Sequence, residues 1–153
     1  MKKIISLSLS VLFIFMLSLT AFAAPQNEIV KRETYSLPDG NYVVIETAVF
    51  DEGEQYNLER SNRSAEKKYT YNSPSGGTLW TFTLRATFSY NGRTSSVVGS
   101  STSYSIKHRD WSCDDHYAED SGNTAYGYGS FSSPVDSKDV TLSLTCDKNG
   151  NIR

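Results

Sequence analysis

Cysteine, proline and clustered positive charge are all scarce in this chain. It has two Cys and 4 Pro in 153 residues, too few for a disulfide-dense mini-scaffold or a proline-rich spacer. Lys and Arg number 15 against 17 Asp and Glu, for a net charge of −2. A nucleic-acid binder needs clustered Lys and Arg to neutralise phosphates, and a membrane-surface peptide needs a basic face, so the charge balance argues against both classes. The sequence contains no Cys-x-x-Cys pair, no Gly-x-Ser-x-Gly elbow and no Gly-rich loop followed by Lys-Ser/Thr. The usual carriers of structural zinc, α/β-hydrolase chemistry and phosphate binding are therefore missing. No segment repeats apolar residues at helical spacing.

What is present begins with a targeting signal. Met1-Lys2-Lys3 is a cationic start, residues 4–19 are apolar, and Ala21-Phe22-Ala23 offers small residues where a signal peptidase reads. Cleavage after Ala23 is predicted. Residues 4–22 approach the length of a membrane anchor, but the small-residue site favours removal. Loss of Lys2 and Lys3 takes the net charge from −2 to −4. No second apolar stretch and no Leu-Pro-x-Thr-Gly sorting signal follows, so a freely secreted, extracellular product is expected. The organisation predicted is a signal peptide over residues 1–23, a flexible N-terminus over 24–28, one domain over 29–147 and a polar tail over 148–153. Export places Cys113 and Cys146 in an oxidising setting, which predicts a disulfide between them.

Ten Tyr, and 31 Ser plus Thr after residue 24, tilt the domain towards β-structure. Alternating segments at residues 29–36, 41–50, 55–60, 65–72, 78–90, 93–107, 123–131 and 140–146 are separated by turn signals such as Pro38-Asp39-Gly40 and Asp51-Glu52-Gly53. Residues 78–90 alternate most clearly, with Trp80, Phe82, Leu84, Ala86, Phe88 and Tyr90 on one face. Asn91-Gly92 reads as a type I′ hairpin turn. Direct pairing from that turn would send Tyr104 and Ile106 to the polar face, so a bulge near Gly99 is predicted to restore them. Seven or eight strands with regular turns argue for an all-β antiparallel sandwich, the alternative being a small β-barrel.

The runs Leu79-Trp80-Thr81-Phe82-Thr83-Leu84, Ala86-Thr87-Phe88-Ser89-Tyr90-Asn91-Gly92 and Leu142-Ser143-Leu144-Thr145-Cys146-Asp147 resemble small exported β-proteins of Gram-positive bacteria. The resemblance covers about half of the mature chain. It implies an all-β fold and an extracellular setting, and no activity.

Two regions are candidate sites. Residues 108–120 hold both His and five carboxylates. Asp110, Asp114, Asp115 and Glu119 supply the hard oxygens calcium prefers, although their spacing is not that of an EF-hand. His108 and His116 lack the H-x-x-x-H spacing of helical zinc proteases, and His116 with Asp115 would suit general acid–base chemistry. The plain alternative is a solvated connection pinned by Trp111 and the disulfide. In the second region, Tyr126 and Tyr128 share one strand face with glycines opposite, and with Trp111 they are the aromatic ligand-binding candidates. Their other reading is cover for a sheet, with glycines admitting a close neighbour; Tyr69 and Tyr71 invite the same two readings. Glu46, Glu59 and Glu66 are carboxylates whose separation, decisive for glycoside cleavage, only the fold can set. The leading expectation is a non-enzymatic extracellular binding module for cell-wall glycan or a surface protein, with no cofactor other than calcium. A bacteriocin-like effector is the alternative, and a small extracellular hydrolase the third reading.

Overall fold

A computed structural model describes residues 27–50 and 60–153. The predicted signal, most of the predicted flexible N-terminus, the Asp51-Glu52-Gly53 turn and all but the last residue of the expected strand at 55–60 lie outside the described residues. Among those described there is no helix, and eight antiparallel strands form two sheets. The first sheet has the order β1(Asn27–Ser36), β2(Tyr42–Phe50), β3(Ser61–Asn72), β4(Thr78–Tyr90), β5(Ser95–Ile106), and the second β6(Ser112–Ser121), β7(Thr124–Ser132), β8(Ser137–Thr145). Neither sheet closes into a barrel.

The core forms where the second sheet lies on β3–β5 of the first. On β4, Trp80, Phe82, Leu84 and Phe88 are fully buried, and Ala86 nearly so. From the other sheet come Ala125, Phe131, Val140, Leu142 and Leu144. Trp80 is the centre of a ring stack, 4.0 Å from Phe131 and 5.1 and 5.4 Å from Tyr71 and Tyr69. These tyrosines thus fill the interior side of β3. The β4–β5 register matches Thr87 with Gly99 and Phe88 with Val97, leaving Val98 as the extra residue. That bulge brings Tyr104 opposite Phe82 and Ile106 opposite Trp80, on the core face as predicted. The Asn91-Gly92 connection differs from the predicted two-residue turn. Only Gly92 has positive φ, and Tyr90 pairs with Ser95 across a four-residue loop. The Asn91 side chain accepts from the Arg93 and Thr94 amides, which satisfies the loop without a left-handed Asn.

Two further expectations are corrected. The predicted connection at residues 108–120 is instead the end of a turn over residues 107–111 followed by β6, whose face is too polar to show strand periodicity. Cys113 and Cys146 are both free thiols. Cys113 pairs with Phe131 at one end of β7, whereas the Cys146 amide donates to the Asn123 carbonyl beyond its other end. Eight residues of strand separate those levels, about 26 Å. A disulfide needs Cα atoms within about 7 Å. Residues 148–153 fold back on the sheets: Ile152 bridges Cys146, Arg63 donates to the Gly150 carbonyl, and the Gly92 amide donates to that of Lys148.

Candidate functional site

The sequence Tyr126-Gly127-Tyr128-Gly129 is read out by β7, the middle strand of the small sheet. Its glycines face inward and are buried, while both tyrosines face outward and are half-buried. The inward side has no room for more. A Cβ on Gly127 would meet Thr102 Cγ2 at 3.0 Å and Leu84 Cβ at 3.1 Å, and one on Gly129 would meet Phe131 and Phe82 ring carbons at 2.9 and 3.1 Å. The glycines thus seat the small sheet tightly on β4 and leave the aromatic side to solvent.

Antiparallel register assembles the outer face row by row. Tyr117 lies opposite Tyr128, which lies opposite Thr141. In the next row Glu119, Tyr126 and Ser143 align, and on the other side Asp115, Ser130 and Asp139. Tyr117 and Tyr128 stack with centroids 4.9 Å apart, and Tyr126 and Tyr128 at 6.4 Å. Tyr117 remains 47% exposed. A shallow pocket of about 220 Å³ opens beside this stack, lined by Asp115, Tyr117, Tyr128, Ser130, Asp139 and Thr141 among others. Ser130 donates to Asp139 at 2.8 Å, and Ser132 to Asp114 at 2.9 Å. Desolvation first, and then the Glu119 carboxylate and the adjoining rings, push the Tyr128 phenol above its ordinary pKa. The Cys113 thiol is likewise raised, by burial and then by Asp114.

Of the aromatic candidates, Tyr126 and Tyr128 are brought together, and Trp111 is not with them. Trp111 packs on the core side, 5.4 Å from Tyr71 and 5.9 Å from Trp80. The four residues named for calcium are spread out. Asp115 and Glu119 sit four residues apart on one strand face, about 13 Å, and Asp110 precedes the strand in the turn beside His108. Among the described residues no three His, Cys, Asp or Glu side chains gather as metal ligands do. His116 faces β5, with its Nδ1 2.9 Å from Thr102 Oγ1 and its ring against Tyr104, so it does not share a site with Asp115. Glu46 and Glu66 lie on the large sheet, near Arg32 and Arg85 respectively.

Sequence reading missed Tyr117, Asp139 and Thr141. A signal for Tyr117 existed in the alternation Asp115, Tyr117, Glu119, masked by the bulge at Asp114. Asp139 and Thr141 join the site only through the β7–β8 register. The chain matches no protein-family model, no curated protein and no solved structure.

Proposed function

We propose that the protein is a secreted, non-enzymatic binding module that holds cell-wall glycan on the outer face of β6–β8. The observation that carries this reading is the stacked set Tyr117, Tyr128 and Tyr126 beside a hydroxyl-lined pocket. Aromatic rings bury large area at little entropic cost, and a sugar ring presents an apolar C–H face to such a surface. The Ser130 and Thr141 hydroxyls beside the rings can exchange hydrogen bonds with sugar hydroxyls. Export supplies the setting, through the N-terminal signal pattern and the resemblance to small exported β-proteins.

Co-sedimentation of the purified protein with isolated Gram-positive cell walls tests the proposal, with EDTA present so that cation bridging cannot contribute. The protein should pellet at micromolar concentration. Tyr128→Ala should weaken binding about tenfold or more, with a smaller loss for Tyr117→Ala. Both side chains are on the solvent face, so the unfolding midpoint should move little. An intact protein that stays in the supernatant, or a Tyr128→Ala variant that pellets like the parent, overturns the reading.

A further inference from the structure

The outward positions of β6, β7 and β8 carry an unbalanced charge. Asp115, Glu119 and Asp139 face out, and Asp114 joins them at the bulge through Ser132. No outward position from Ser112 to Thr145 on these three strands is Lys or Arg. On the large sheet two half-buried carboxylates meet cations across strands, Glu66 with Arg85 at 2.9 Å and Glu46 with Arg32 at 3.5 Å. Among the described residues, Asp115 and Glu119 have neither an ion-pair partner nor a side-chain hydrogen bond. The aromatic stack therefore lies among carboxylates, the nearest cation being Lys67 of β3, which reaches the Ser143 carbonyl at the edge of the small sheet.

We propose, resting on the glycan reading above, that this face selects glycan whose sugars carry free protonated amines over the fully N-acetylated form. Two features of the ligand match two features of the surface. A sugar ring stacks on Tyr117 and Tyr128, and an ammonium on that ring approaches a carboxylate and a tyrosine face at once. The N-acetylated sugar keeps the stacking but leaves the carboxylates unpaired. A phosphate-rich anionic wall polymer meets repulsion. A purely cationic peptide would satisfy the charge while making no use of the Ser130 and Thr141 hydroxyls beside the rings.

The test is calorimetric titration with the tetramer of glucosamine and with the tetramer of N-acetylglucosamine at about pH 6. There an amine of ordinary pKa near 8 is protonated. The free-amine tetramer should bind about fivefold tighter or more, a preference that shrinks at about 1 M salt. Asp115→Asn with Asp139→Asn should bring the affinities for the two tetramers together. Glu46→Gln with Glu66→Gln changes the net charge equally on the other sheet and should preserve it. Equal affinity for the two tetramers overturns the amine selection and leaves the glycan reading standing. Affinity for neither overturns both. A preference lost equally in the Glu46→Gln, Glu66→Gln variant, or full displacement by tetralysine at matched concentration, shows charge attraction alone and overturns the inference.

Discussion

Burial and charge act in the same direction on Tyr71. Its ring is fully enclosed between Trp80 and Trp111, and its hydroxyl accepts from Asn41 at 2.8 Å. Desolvation, followed by the nearby Asp39 and Asp136 carboxylates, pushes its pKa up to about 12. The neutral phenol is the form the fold favours. Its contribution to stability is fully present below the unfolded value of about 10 and is lost as pH rises through the folded value. An absorbance titration of the ten tyrosines checks this. Tyr71 should resist until about pH 12 or until the protein unfolds. A titration in which all ten ionise together near pH 10 under native conditions would contradict its burial. Tyr71 and Tyr128 also show what residue type alone hides. Each alternates with a non-aromatic neighbour on a strand, but one faces the second sheet and the other faces water. That difference depends on which face of each strand meets the other sheet, and Trp111 belongs to the interior for the same reason.

At the scale of the element, β4 was legible because five core positions and their polar partners alternate without interruption. The bulge at Val98 could be argued because only an extra residue reconciles the β5 pattern with that of β4. Strand β6 shows the opposite case. Its inward positions are Cys113, His116, Ala118 and Asp120, and its bulge at Asp114 breaks the alternation, so no hydrophobic period marks it. Its outward carboxylates then look like those of a solvated loop. In β7 the glycines make the element. An added methyl at Gly129 would press on the Phe131 and Phe82 rings, both held in the ring stack and unable to swing clear. Gly129→Ala should therefore cost about 1–3 kcal/mol, read as a lower denaturant midpoint with an unchanged slope. An unperturbed midpoint would mean that the small sheet does not sit as close to β4 as the contacts at Gly127 and Gly129 indicate.

Across the whole molecule, strand order governs what sequence proximity and compartment cannot. Two cysteines in a chain expected to be exported argue for a bond, and the alternation of β8 correctly turns Cys146 inward. Neither consideration contains the distance between the ends of one sheet. A sequential β6-β7-β8 meander puts Cys113 level with Phe131 and Cys146 level with Asn123, so both side chains face the core from opposite ends. Burial is the main cause raising both thiol pKa values, with Asp114 and Asp147 adding to it respectively, and this slows reaction at neutral pH. The intact mass of the native protein should match the fully reduced chain. A thiol reagent should modify half-buried Cys113 slowly in the folded state, and fully enclosed Cys146 only once denaturant opens the sandwich. A mass two hydrogens lighter, with neither thiol reactive after unfolding, would require the two ends of the small sheet to meet. That result would refute the strand order, and with it the outer face on which the tyrosine stack is assembled.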